Sequence, residues 1–392
     1  MPVAFTIGDR PFGLPVQAPS VAPFSLVHAH GPDAHVVAKA CLAQIQNLPA
    51  DVSFGVVYVT EEMGHSFEKT VELLRLEVPG VNWIGATVPV IFAGEEQYQG
   101  EPAMAIMLGS LGLDQFRIMS STRRNVSGQL DRLTSWRRRN GTCHAIVHGD
   151  ANNHSVAEMI SELDRSLVAG TVSGGLNSNR RDNLQVAVSV TSGGLSGVLL
   201  GRGVSVLNGY ATGALALGLP HAITSSRGND VLELDHEPAL DVLYREAGEL
   251  LARNPQRLAN FVAPACGPFE TGGPAYAQRR FVELNLANRS FRLDDLSSKV
   301  DNLRFYRRDP AQAENSFEDM LQKLQQELAG RKVRAAVLIS STPRQSGVDE
   351  TARELARVRA VFGDISLLGY RSCGEIFNGL RLGNSSVLSL IV

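Results

Sequence analysis

The sequence predicts an α/β fold of the mixed α+β kind, in which repeated β-α-β-β units form mixed sheets with outer helices, divided into two domains. Three observations predict it. One local pattern recurs three times: an apolar strand-like run, an amphipathic helix, a second short apolar run ending in Gly and small residues, a loop, and a third apolar run. Residues 184–234 change character into short, Gly-punctuated apolar runs that read as antiparallel strands. The length, 392 residues, exceeds what one ordinary core organises.

In chain order, residues 1–23 carry Pro11, Pro15, Pro19 and Pro23 and read as a lead-in segment. A strand follows at 24–30 and a helix at 33–48, since Val36, Val37, Ala40, Cys41 and Ile45 share one face. The first copy of the pattern occupies 54–59, 67–78, 83–86 and 103–108, and the second 145–147, 156–167, 169–175 and 184–190. Helix 156–167 is the best specified: Val156, Met159, Ile160, Leu163 and Leu167 follow three-four spacing, and Ser155 with Glu158 predicts a capping box. Gly228-Asn229 predicts a hairpin turn, Asp235 and Pro238 open a helix reaching Ala252, and 263–274 reads as a Gly/Pro-rich loop. A polar-faced helix at 311–328 precedes the third copy at 335–340, 350–362, 365–369 and 387–392. If the copies are equivalent, Gly85, Gly170 and Gly369 should occupy matching strand ends, and a duplicated core should enclose a pocket.

Composition narrows the function. A net charge of −3 gives no basis for a nucleic-acid or anionic-membrane partner. The Arg137-Arg138-Arg139 cluster reads as a solvated helix end. Cys41, Cys143, Cys266 and Cys373 are scattered without a CxxC pair, which fits a reducing compartment. Without an apolar N-terminal run or a spanning segment, the expected location is cytoplasmic.

Few residues promise chemistry. His28 and His30 share a strand face, an arrangement able to hold a metal or to stay a polar edge. His148, Asp150 and His154 follow an apolar run, where α/β folds bind ligands, although Asp150 suits a turn equally well. Cys373, between Ser372 and Gly374, is either a buried thiol or a nucleophile lacking a paired His. Ser192-Gly193-Gly194 and Gly201-Arg202-Gly203 fit hairpin turns better than phosphate loops.

Two sets of residues carry a family likeness. The first is the strand at 55–59, Ile84-Gly85, Ile223-Thr224, Gly228-Asn229, Glu233-Leu234-Asp235 and Pro238-Ala239. The second is the run 336–339, Arg344, Gly369, Gly374-Glu375-Ile376 and Asn384 before 387–390. In this order they resemble the FIST family, the F-box and intracellular signal transduction proteins, with paired N-terminal and C-terminal FIST domains placed at 24–225 and 226–392. The resemblance implies a non-catalytic sensor that binds a small ligand, an amino acid or related metabolite, and signals through a separate protein. It also implies an alternative, a haem-binding nitric oxide sensor acting on a histidine kinase, with His28, His30 and His148 as the ligand candidates. A Cys-dependent hydrolase using Cys373 is a second alternative. In the leading reading Arg344 anchors a carboxylate, Tyr370, Ser372, Cys373 and Glu375 line the same loop, and His148 and Asp150 contribute from the second copy. Two features depart from the family: Ser340, Ser341 and Thr342 stand where a Cys often precedes the Arg, and 85–90 lacks the Gly-Glu pair.

Overall fold

A computed structural model describes residues 24–45, 51–180, 182–248, 258–259, 261–267, 277–294, 296, 300–341 and 348–392. Three units follow one another. The first comprises β1 (Ser25–His30), α1 (Ala34–Gln44), β2 (Phe54–Thr60), α2 (Phe67–Glu77), β3 (Asn82–Val88), the hairpin β4 (Val90–Ala93) and β5 (Glu96–Gln99), and β6 (Ala103–Gly109). The second comprises β7 (Phe116–Thr122), α3 (Ser127–Arg132), α4 (Thr134–Asn140), β8 (Thr142–Asp150), α5 (Val156–Arg165), β9 (Val172–Asn177), the hairpin β10 (Leu184–Ala187) and β11 (Ser189–Ser192), and β12 (Leu195–Gly201). The third opens with β13 (Val206–Thr212) and is then interrupted by an insert. That insert holds β14 (Ala214–Arg227), β15 (Asp230–Leu234), β16 (Glu237–Pro238), α6 (Ala239–Ala247), β17 (Val262–Cys266), β18 (Ala277–Gln278), β19 (Phe281–Asn285), β20 (Ser290–Leu293) and β21 (Asn302–Arg308). The third unit resumes with α7 (Pro310–Leu328), β22 (Ala335–Ser341), α8 (Val348–Phe362), β23 (Leu367–Ser372), the hairpin β24 (Gly374–Phe377) and β25 (Leu380–Leu382), and β26 (Ser385–Ile391).

Each unit builds four strands of a six-stranded sheet and lends its hairpin to another unit. The sheet orders are β1-β6-β2-β3-β10-β11, β7-β12-β8-β9-β24-β25 and β13-β26-β22-β23-β4-β5. Unit two therefore completes the sheet of unit one, unit three that of unit two, and unit one that of unit three. This cyclic exchange fixes the three sheets around one shared interior. Within each, β2–β3, β8–β9 and β22–β23 are the parallel pairs, and the last strand runs antiparallel beside them.

Three glycines set the matching register. Gly85 faces Val57, Gly174 faces Val147 and Gly369 faces Leu338 across the parallel pairs. A Cβ there would lie 1.8, 2.1 and 2.0 Å from the facing carbonyl oxygens, so no side chain fits. Borrowed strands cross at the same point, pairing Val186, Ile376 and Phe92 with these glycines. The expected partner Gly170 is replaced by Gly174: Gly170 sits in the turn before β9, and all three register glycines lie inside strands rather than at their ends. The run 184–190 is likewise not the third strand of its copy. It is the hairpin β10–β11, bent at Val188 (φ 70°), and the third strand is β12.

Other local expectations shift for identifiable reasons. Ser155 makes no side-chain cap, because Asp150 accepts from Asn152 N and Asn153 accepts from Ser155 N, satisfying the donors of that turn first. Helix α7 opens at Pro310, one residue before the expected start, with Asp309 accepting from Gln312 N. The Gly228-Asn229 turn joins β14 to β15. The helix expected from Asp235 begins only at Ala239, since Asp235 and His236 adopt positive φ in a tight turn. Position 225 falls within β14. The insert leaves and returns at one place, where Gly213 N donates to Asn384 O and Asp309 N donates to Gly213 O. It forms its own eight-stranded sheet and packs α6 on a separate apolar core.

Burial follows from this plan. Inner faces of the three sheets make one central core, with Tyr58, Ile91, Ile146, Val198, Ile339 and Tyr370 among its members. Outer faces carry separate cores under α1 and α2, under α3 to α5, and under α7 and α8. Helices thus lie outside mixed sheets, which is the predicted fold class. No helix among the described residues is long and apolar enough to cross a membrane.

Candidate functional site

The register glycines identify which residues face inward together. One position beyond Val57, Val147 and Leu338 stand Tyr58, His148 and Ile339, and one beyond the glycines stand Ala86, Gly175 and Tyr370. The borrowed strands add Gln185, Glu375 and Ile91, paired with Ala86, Gly175 and Tyr370. One layer of the central core therefore contains Tyr58, His148, Tyr370, Gln185 and Glu375, each 0% exposed. An apolar interior does not need these groups, and their burial costs free energy unless each is hydrogen-bonded.

Most of them are. Tyr58 Oη and His148 Nε2 share a hydrogen bond of 2.9 Å, tying unit one to unit two. Ser196 Oγ donates to Gln185 Oε1 at 2.7 Å, and Gln185 Nε2 donates to Gly194 O. Ser372 and Ser385 donate to the two oxygens of the Glu375 carboxylate. Two polar atoms are left over: among the described residues, His148 Nδ1 and Tyr370 Oη are buried without a hydrogen-bond partner. They belong to neighbouring rings, with Tyr58 and Tyr370 centroids 4.8 Å apart and His148 and Tyr370 6.1 Å apart. Gly175 makes room for the Tyr370 hydroxyl, which a Cβ there would approach to 2.7 Å.

Burial also sets protonation. The His148 imidazole is pushed down to about 3, so it is neutral across the physiological range. Burial pushes the Tyr58 and Tyr370 phenols up, Tyr370 further through Tyr58 and Glu375, so both keep their protons. Cys373 is pushed up to about 11, chiefly by burial, and its Sγ donates to Leu176 O at 3.2 Å. A protonated thiol engaged with a carbonyl is a poor nucleophile. Iodoacetamide at pH 7.5 should therefore alkylate native Cys373 far more slowly than the same residue in urea, which mass spectrometry of its peptide would read. Equal rates would restore the nucleophile reading.

The expected site residues separate clearly. His148, Tyr370, Ser372 and Glu375 come together, but on strands rather than in a loop. Tyr370 and Ser372 are in β23, Glu375 is in β24, and only Cys373 lies between. The Gly and small residues that suggest a loop instead permit close strand packing. His148 and Asp150 lie within β8 rather than after it. Asp150 Oδ1 accepts from Asn152 N and Asn183 Nδ2, the turn-building use. His154 is exposed, and residues 85–90 are β3 running into β4 rather than a loop. Arg344 lies outside the described residues. Tyr58, Gln185 and Ser196 were absent from the sequence reading. Each is a single polar residue in an apolar strand, and only aligning the repeats on their glycines would have singled them out.

The three histidines of the haem alternative differ in what they touch. His28 Nδ1 pairs with Tyr98 Oη at 2.6 Å and His30 Nδ1 with Glu101 at 2.8 Å, while His148 spends Nε2 on Tyr58 inside the core. None of these histidines lines the described clefts. Among the described residues no group of three or more His, Cys, Asp or Glu side chains is arranged to hold a metal ion.

Comparison with known families supports the N-terminal part of the likeness. The FIST N domain matches residues 53–237, which span unit one from β2, all of unit two, β13 and the start of the insert. That domain belongs to a family of sensory domains in signal transduction. No curated protein matches the chain.

Proposed function

We propose that this protein is a cytoplasmic, non-catalytic sensor that binds a small polar metabolite of amino-acid size in the central core and signals through a separate protein. In this reading the third unit serves as the C-terminal partner of the matched N-terminal domain. One observation carries the proposal: His148 Nδ1 and Tyr370 Oη, on different units, are buried with no partner among the described residues, beside a fixed carboxylate. A buried polar atom left unsatisfied costs about 1–3 kcal/mol. A ligand that opens the space between the rings and bonds to both atoms would recover that cost.

Recognition follows from the chemistry present. Neutral His148 offers one ring nitrogen, Tyr370 a hydroxyl able to donate or accept, and Glu375 a carboxylate for an ammonium or hydroxyl group. Arg344 is proposed to complete the set as the carboxylate anchor. Signalling requires that the ligand prefer one conformer. Parting Tyr58 from Tyr370 would move β2 against β23, and the exchanged hairpins would carry that shift to all three sheets. Four free cysteines agree with a reducing compartment. The signalling partner, a histidine kinase or another protein, would read the new arrangement.

A thermal-shift screen of free amino acids and related metabolites tests the reading, because a ligand bound only by the folded state raises the melting temperature. The expected hit loses its effect in Tyr370→Phe. Haem is the second reading, and a Soret band formed on haem titration and altered by His28→Ala or His30→Ala would favour it instead.

A further inference from the structure

A cleft of about 530 Å³ opens at the seam between the first two sheets, at the N-terminal end of the parallel strands and away from the site above. Its walls come from α2 (Arg75), the start of β3 (Asn82 and Trp83), β7 (Phe116 to Ile118) and the tip of the borrowed hairpin at Val188. The volume lies within the range of small-ligand sites, and the walls are about equally polar and apolar.

Its charges are all of one sign. Among the described residues of the lining, Arg75 and Arg117 are the only ionisable side chains, on a protein whose net charge is −3. Neither forms an ion pair among the described residues, in contrast to Arg245, Arg289, Arg292 and Arg359, which all pair with carboxylates. Instead each is held in place by the main chain. Arg75 Nη2 donates to Val188 O at 2.7 Å. Arg117 Nη1 donates to Phe116 O at 2.7 Å and to Leu113 O, and its guanidinium lies 5.2 Å from the centre of the Trp136 ring. Among the described residues the other N–H groups of both guanidiniums have no acceptor, and an arginine whose geometry is already fixed gives up less entropy on binding. The Trp83 ring forms part of the wall.

From this combination we propose a second ligand site, one that takes an organic anion with an apolar body, of the aryl- or alkyl-carboxylate class. The carboxylate accepts from the two guanidiniums, and the apolar part lies against Phe116, Ile118 and Val81. Since Arg75 belongs to unit one and Arg117 to unit two, a bound anion bridges the two sheets that share the hairpin β10–β11.

Calorimetric titration of the purified full chain with 3-phenylpropanoate, its neutral primary amide and inorganic phosphate tests this. The acid should bind, and the amide should bind about tenfold or more weakly. Arg75→Gln and Arg117→Gln should each weaken the acid by a similar factor while the melting temperature of at least the exposed Arg75 variant stays unchanged, and Tyr370→Phe should leave it unaffected. No binding of the acid, equal binding of acid and amide, phosphate binding alone, or indifference to Arg75→Gln would overturn the proposal. Loss of binding in Tyr370→Phe would overturn it too, by assigning the acid to the central core.

Discussion

Gly369→Ala should destabilise the protein by about 3 kcal/mol or more, and Gly85→Ala and Gly174→Ala should do the same. The added methyl would sit about 2 Å from a main-chain oxygen of the facing parallel strand, at Leu338, Val57 or Val147. A flexible side chain could swing away from such a clash, but here the neighbour is backbone held in a sheet on both sides. Relief requires β22, β2 or β8 to separate from its partner, with loss of the hydrogen bonds and apolar contacts of that register. Gly128→Ala is the matched control, because nothing lies within 4 Å of a Cβ there and the residue is inside α3. Urea denaturation should shift the midpoint sharply downward for the three register glycines and little for Gly128. Losses below about 1 kcal/mol at all three would mean that the strands are not held as described.

The repeat was legible because its elements are local. Apolar runs such as 54–59 and 335–340, each followed by a helix of three-four spacing, announce themselves within a short window. The hairpin exchange was not legible, since Val90–Ala93, Leu184–Ala187 and Gly374–Phe377 each pair with a strand of another unit. Nothing near them in sequence specifies that partner. This is why Leu184 and its neighbours read as a third strand, and why Tyr370 to Glu375 read as a loop. Half of the central site was visible as His148, Tyr370, Ser372 and Glu375. Tyr58 was hidden because its neighbours Val56, Val57 and Val59 make it look like one more packing residue of a buried strand. The choice of Gly170 over Gly174 shows the same limit, for two glycines four residues apart are told apart only by which one faces a carbonyl.

Lowering the pH should expose the cost of burying His148. Its imidazole titrates at 6.5 in the unfolded chain but is held at about 3 in the folded protein, by burial. Between these values the unfolded state binds a proton that the folded state refuses. The stabilising difference is fully present above pH 6.5 and is lost as the pH falls toward 3. The loss approaches about 1.4 kcal/mol per pH unit, or about 3 kcal/mol by pH 4. Tyr58 and Tyr370 stay protonated throughout this window, their phenols being pushed up by burial. Urea denaturation at several pH values should give His148→Gln a shallower acid dependence than the parent, with the curves converging or crossing as pH falls. Parallel curves would show that His148 takes up protons in the folded state, and the core around it would then have to be wet.

The central claim is that a small ligand bonds to the unpaired polar atoms where the three units meet, and calorimetry of the ligand from the thermal-shift screen against Tyr370→Phe tests it most directly. Phe keeps the ring and its packing while removing a hydroxyl that has no partner among the described residues. The variant should therefore be as stable as the parent or slightly more so, and should bind the ligand about tenfold or more weakly. Unchanged affinity in a fully folded Tyr370→Phe protein would contradict the account and place the ligand elsewhere.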